Sequence, residues 1–329
     1  MLKFILRRVL LFIPTLLAIS IVTFILIQLP PGDYLSTIIF QLEESGEEVD
    51  EALLAALRNR YGLDLPMAMQ YLRWIGNIVL HGDFGYSMAH NRPVSELIWE
   101  RLMWTLVISI GTLIVTWVIA FPVAIYSATH QYSIGDYVAT FVGFVGRGIP
   151  NFMIALILMW VGFSVFGFGI GGLFSEGFRR APWSWAKFVD LMQHLWVPLV
   201  VLGTGGTAGL IRITRANLLD ELRRPYVITA RAKGLAERKV VWKYPVRVAL
   251  NPFISSVGYV LPGLISGSTI ISVVLSLPTT GPLRVSALLS QDMYLAGSFL
   301  MMLSTLTVLG TLLSDILLAW VDPRIRLSA

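Results

Sequence analysis

The residues able to do chemistry in this chain of 329 residues are few and unevenly placed. His81, His90, His130 and His194 stand far apart with no paired metal spacing, and the absence of cysteine excludes thiolate ligands and a thiol nucleophile. The run Gly203-Thr204-Gly205-Gly206-Thr207-Ala208-Gly209 has the glycines of a phosphate loop, but the spacing fails, no lysine follows, and it lies inside an apolar stretch. It reads instead as a helix face built for close packing. No Walker A pattern occurs, so an enzyme, or ATP bound by that route, is not expected. Two charged features remain. Arg147 interrupts an apolar run within Gly146-Arg147-Gly148-Ile149-Pro150-Asn151, where a cation is costly unless it meets an aqueous cavity or a counter-ion. The stretch from Arg223 to Arg247 packs eight Lys or Arg and a single acid, Glu237, into 25 residues.

The elements that must position these residues are apolar. Hydrophobic residues make up 56% of the chain and charged ones 14%, with a mean hydropathy of +0.73, more apolar side chain than a soluble domain of this size could bury. The chain is therefore expected to be an all-α integral membrane protein whose environment is the lipid bilayer. Its net charge of +5 does not point to nucleic acid, because the cations sit in loops beside apolar runs, where they act as topology signals. Six runs are long enough for about 30 Å of hydrocarbon, at residues 9–29, 103–126, 138–163, 195–213, 253–277 and 296–321. Lys3, Arg7 and Arg8 precede the first, which lacks a small-x-small cleavage site and reads as a retained helix.

Pro30-Pro31-Gly32-Asp33 ends that helix, and residues 30–101 form a polar segment with the acids Glu43, Glu44, Glu47, Glu48, Asp50 and Glu51 and a helix expected over 51–60. This divides the chain into 1–29, an extracytoplasmic helical subdomain over 30–101, and a membrane domain over 102–329. Residues 166–193 read as a second polar interruption, with Trp183 and Trp185 suited to an interfacial belt. Three cations at the N-terminus, ten from Arg212 to Arg247, and Arg324 and Arg326 fall inside if both termini are cytoplasmic, against nine outside. The positive-inside rule thus favours N-in, C-in. Pro150 and its flanking glycines mark a kinked or broken third span, with Arg147 about 14 Å along it, facing either a cavity or an acid such as Asp315.

The basic stretch is punctuated as a short helix. Pro225 suits a first helical position and Gly234 the left-handed residue after a helix, with about 13 Å of helix between them. Ala230 and Ala232 would keep that helix slim enough to enter a groove in a cytosolic partner, and a second helix is expected over 236–242.

At this level of detail the chain resembles a known family. Tyr226-Val227-Ile228-Thr229-Ala230-Arg231-Ala232-Lys233-Gly234-Leu235 resembles the cytoplasmic "EAA" loop of ABC importer permeases, in the form of the peptide and nickel branch. Pro31-Gly32-Asp33, Tyr61-Gly62-Leu63-Asp64 with Gln70-Tyr71-Leu72-Arg73-Trp74, Gly82-Asp83-Phe84-Gly85 with Ser87, Arg92-Pro93-Val94, and Asp322-Pro323-Arg324-Ile325-Arg326 resemble the B-type permease subunit of dipeptide and oligopeptide transporters, in order along nearly the whole chain. There are departures. Ile228 and Thr229 stand where the general loop has Glu and Ala, Arg147-Gly148 precedes Ile149-Pro150 where an uncharged residue and Ser are usual, and Pro278-Thr279-Thr280-Gly281-Pro282 replaces Trp-Pro-Gly-Leu-Gly.

The resemblance implies a multi-pass permease of a prokaryotic cytoplasmic (inner) membrane that pairs with a second six-span chain. Two cytosolic ATPases, which carry the ATP and magnesium, would act from below, and a solute-binding protein would deliver peptides or oligosaccharides from outside. This chain itself would bind no cofactor. Pro225, Tyr226, Thr229, Ala230, Arg231, Ala232, Lys233, Gly234 and Leu235 would couple to the ATPases, while Arg147, Pro150 and Asn151 are candidates for the translocation path. The competing class is an ion-coupled secondary transporter, for which buried acids in two symmetric halves would be expected; only Asp136 and Asp315 stand near span ends. A membrane scaffold without transport is disfavoured by the broken third span.

Overall fold

The computed structural model describes residues 2–29, 65–167, 169, 171–256 and 268–321. The acidic cluster at 43–51, the helix expected over 51–60, the motifs at 31–33, 61–64 and 322–326, and much of the fifth expected span lie outside the described residues. In chain order the helices are α1 (Leu2–Gln28), α2 (Met67–His81), α3 (Val94–Thr129), α4 (Ile134–Gly148), α5 (Asn151–Phe166), α6 (Trp185–Leu222), α7 (Pro225–Ala232), α8 (Glu237–Lys243), α9 (Pro245–Ala249), α10 (Thr269–Val274), α11 (Thr280–Leu289) and α12 (Met293–Val321). Between α2 and α3, β1 (Tyr86–Ser87) pairs antiparallel with β2 (Arg92–Pro93), Tyr86 opposite Pro93.

Among the described residues α1, α3, α6 and α12 are long and apolar enough to cross a membrane, and α4 with α5 adds a fifth crossing if the bent pair counts as one. The break between α4 and α5 has a local cause. Pro150 disfavours helical geometry in the residue before it, and Ile149 is extended at φ −87°, ψ 126°. The result is a corner of 99° rather than a kink. Arg147 therefore lies in the last turn of α4, at the corner, and not midway along a straight span.

Two helices outrun the lengths that hydropathy predicts. At 38 residues α6 is about 57 Å long. Its first turns lie in the expected polar interruption, yet they are helical because the preceding loop satisfies their polar groups. Ser184 caps the helix by accepting from the Lys187 amide at 3.2 Å. Asp190 accepts from the Ser175 amide at 2.9 Å and the Ser175 hydroxyl at 2.5 Å. Lys187 donates to the Ala181 carbonyl at 2.6 Å and lies over the rings of Phe174 and Trp183. Similarly α3 begins at Val94, so residues 94–101 of the expected extracytoplasmic segment are one helix with the second span.

The glycine run in α6 packs other helices closely. A Cβ at Gly203 would stand 3.2 Å from Thr116 Oγ1 of α3, and one at Gly143 of α4 3.7 Å from Ala208 Cβ. At Gly146 a Cβ would meet Thr204 Cγ2 at 2.6 Å, a collision that only glycine avoids.

Contacts divide the chain into two compact units. One joins residues 105–278 to both chain ends, 1–5 and 309–329, and the other holds residues 6–104 and 279–308. The second unit is anchored on Asp292, which is fully buried. Its Oδ2 accepts from the Ser87 hydroxyl at 2.6 Å and the Ala89 amide at 3.1 Å, and its Oδ1 from the Leu295 amide at 3.2 Å. Gly85, at φ +88°, leaves room for the Tyr294 ring, which a Cβ would approach to 2.6 Å. The Gly82-Asp83-Phe84-Gly85 and Ser87 motif is thus an anchor for the start of α12. Asp292→Ala leaves one hydroxyl and two amides without their acceptor, which is expected to cost about 2–4 kcal/mol. The check is the thermal midpoint of the detergent-solubilised protein, and an unchanged midpoint would show that the anchor carries no load.

Candidate functional site

The site is built where α6 ends. Arg224 is extended (φ −68°, ψ 147°), Pro225 opens α7 at its first position, and the helix stops after two turns. Its end is a complete Schellman motif. Gly234 is left-handed at φ +75°, its amide donates to Arg231 O at 2.9 Å, and the Leu235 amide reaches back to Ala230 O at 3.4 Å. Leu235 then packs on the cluster of Val227, Ala230 and Val240, the hydrophobic contact that accompanies this cap. The chain restarts as α8, close to the expected second helix.

Two faces result. Val227 and Ala230 point inward onto Val240 of α8, while Tyr226, Ile228, Thr229, Arg231, Ala232 and Lys233 are exposed. Ala230 and Leu235, expected on a partner-facing surface, instead hold α7 to its own scaffold. Ile228, a departure from the general loop pattern, points outward and is 57% exposed.

Side chains lock α7 at both ends. Arg231 forks onto Glu237 across the Gly234 turn, Nη2 to Oε1 at 2.6 Å and Nε to Oε2 at 3.0 Å. That hydrogen-bonded pairing raises the guanidinium above its ordinary value and holds the Glu237 carboxyl below the usual carboxylate range. Both groups are largely exposed, so the pair serves geometry more than stability. The Tyr226 hydroxyl donates to Glu221 of α6. Burial first, and that carboxylate second, push the phenol up to about 12, so Tyr226 remains a neutral donor at physiological pH.

A second apolar cluster lies next to that of α7, the two meeting in α8 at the adjacent residues Val240 and Val241. Val241 of α8 and Val246 and Ala249 of α9 join Ile125 and Ala128 of α3 and the fully buried Leu218 of α6. Phe121 of α3 stands edge-on to Trp242, with ring centroids 6.0 Å apart.

The second set of candidates lies at the α4–α5 corner. Arg147 is exposed, and its Nη1 lies 3.9 Å from where a Cβ of Gly209 would be; Asn151 Oδ1 lies 4.0 Å from the same position at Gly205. Both polar side chains therefore lie along the glycine face of α6. Among the described residues no ion pair joins Arg147 to Asp315. A cavity of about 610 Å³ between α3, α4 and α6 is lined by residues such as Val115, Ile119, Val142 and Leu199, with no charged side chain, which suits hydrocarbon rather than a charged solute.

One pair was not legible in the sequence. Asp136, capped onto the α4 N-terminus by Ser133, is gripped by Arg215 of α6, 79 positions away. No local spacing connects them, and Arg215 reads as one more topology cation.

Two family models match the chain. Residues 120–327 match the binding-protein-dependent transport system inner membrane component, and residues 1–109 the N-terminal part of such a membrane component. The chain is 37% identical to the oligopeptide transport system permease protein AppB of Bacillus subtilis (strain 168), over 99% of this chain and 100% of the relative. It is 33% identical to the dipeptide transport system permease protein DppB of Escherichia coli (strain K12), over 99% of each. It is also 30% identical to the peptidoglycan transport system permease protein YejB of Agrobacterium fabrum, over 98% of this chain and 97% of the relative. With family models that together take in nearly all of its length and relatives matched end to end, this helical multi-pass chain belongs to the inner membrane components of binding-protein-dependent transport systems, the permease subunits of ABC importers.

Proposed function

We propose that this chain is the permease through which peptides delivered by an extracytoplasmic solute-binding protein cross the inner membrane, and that it is driven through α7. Peptide cargo is supported by the oligopeptide and dipeptide transport named in two of its relatives. In this reading the chain has six spans with both termini in the cytoplasm and lines the path together with a second six-span permease. Two ATPases, which hold the ATP and magnesium, grip the outward face of α7.

The observation that carries the reading is the two-faced geometry of α7. A helix of two turns is too short to be stable alone. Here it is fixed by a Schellman cap, by Val227 and Ala230 beneath it, and by Arg231–Glu237 across the turn, while it presents Tyr226, Ile228 and Lys233 outward. A partner that pushes on it moves α8, α9 and the ends of α3 and α6 with it. Transport follows only if the ATPases contact α7 differently in their two states, since equal binding shifts no equilibrium.

Gly234→Val tests the drive. No atom lies within 4 Å of an added Cβ, and at φ +75° the substitution strains the left-handed backbone. The expected outcome is a complex that still co-purifies with its ATPases but imports at least about tenfold more slowly for each ATP hydrolysed. Normal import with unchanged solute-stimulated ATPase activity would overturn the reading. Arg147→Ala tests the path. Losing a charge-assisted contact to a peptide carboxylate is expected to weaken peptide uptake by about tenfold or more, with uptake of a neutral oligosaccharide as the control. An unchanged apparent affinity for peptide would remove Arg147 from the path.

A further inference from the structure

Asp136 is 2% exposed, in the first turn of α4. Arg215 of α6 holds it with two parallel bonds, Nε to Oδ1 at 2.8 Å and Nη2 to Oδ2 at 2.6 Å, and the Tyr132 amide adds a third to Oδ2 at 3.0 Å. Tyr132 delivers that amide from φ +66°, a region that bulky residues rarely enter. The turn between α3 and α4 is therefore bent to complete this carboxylate's shell. Burying such a pair is a poor source of stability, since well-packed apolar residues often do as well. What the fork supplies is a fixed distance and orientation between α4 and α6.

Its position gives that rigidity a use. Three residues after Arg215, on the same face of α6, Leu218 is fully buried against Ile125, Ala128, Val241, Val246 and Ala249. Val240, beside Val241, packs on Val227 and Ala230 of α7. At its other end α4 carries Arg147 and the 99° corner. The ion pair is thus the polar link between the block that α7 rests on and the helix that leads to the corner.

We propose that Asp136 and Arg215 form a rigid joint that stays closed through the transport cycle and makes α4, with the corner at its end, move as one body with α6 and α7. The two are positioning residues that touch neither cargo nor partner. The proposal rests on the reading of α7 as the driven helix, and it can fail while Gly234→Val still uncouples transport.

The test uses the complete importer in liposomes, loaded with a dipeptide-bound solute-binding protein, and reads peptide imported per ATP hydrolysed. Asp136→Asn and Arg215→Lys, the second keeping the charge but losing the fork, are each expected to lower that ratio about tenfold. Because the chain has no cysteine, the double variant Asp136→Cys with Arg215→Cys can be bridged specifically by a bifunctional methanethiosulfonate in a complex whose other subunits lack cysteine. The unbridged double variant is expected to be uncoupled, and bridging to restore at least half of the ratio. Loss of import on bridging would show that the pair must open, and would overturn the joint. A wild-type ratio for Asp136→Asn would overturn it as well. Should the single variants not assemble, the bridged variant decides alone: restored coupling supports the joint, and continued uncoupling overturns it.

Discussion

The constraint on which the membrane domain depends is the near absence of side chains along one face of α6. Between Gly203 and Gly209 the largest residue is threonine, and α3, α4 and the start of α5 all approach that face. In a bilayer the helices gain little by hiding apolar surface from lipid, so association depends on close packing, and small residues permit it. The tightest places are Gly203, where a Cβ would press on Thr116 of α3, and Gly146 of α4, where one would collide with Thr204. Once those helices are seated, Arg147 and Asn151 necessarily lie along the glycine face. A polar corner and a featureless helix surface are thus brought together by one packing requirement.

The same helix carries this arrangement on to α7, α8 and α9. Beyond the glycines, α6 continues as Arg215, Leu218 and Glu221, which contact α4, the α3–α8–α9 cluster and Tyr226 respectively. One helix of 38 residues therefore touches both the corner and α7. Most of α7 is held by short-range features that survive motion of the whole: a cap, two apolar side chains and a surface fork. Each of these restraints lies within α7 or within the block it rests on.

How much of this could be read from the chain depended on how local the determinant was. Pro225 and Gly234 marked both ends of α7, because a missing amide and a missing Cβ act on the residue that carries them. Pro150 marked the break before α5 for the same reason. The angle of that break was not legible, since a proline marks where a helix stops and not the direction the chain takes after it. Nor were the ends of α3 and α6, where hydropathy stops at the lipid boundary while the backbone continues as helix. Lys187 and Asp190 read as loop residues because their partners, Ala181 and Ser175, act through tertiary contact. The Asp136–Arg215 pair was invisible altogether, being a contact between distant residues with no pattern of their own. The family, by contrast, was legible, because its motifs are these local turn residues.

The basic stretch itself changes character in three dimensions. Counted along the chain it is a dense run of cations, which suggests docking by charge. In the fold Arg224 and Arg231 face Glu221 and Glu237 of the same chain, so part of that charge is already engaged. The outward face of α7 then combines the ring of Tyr226 and the exposed Ile228 with the remaining cations around them. Salt screens exposed charges beyond about 8 Å at physiological ionic strength, whereas an aliphatic side chain seated in a groove is indifferent to salt. Ile228 occupies the place where the general loop has glutamate, so in this chain an exposed aliphatic side chain stands where that loop carries a carboxylate.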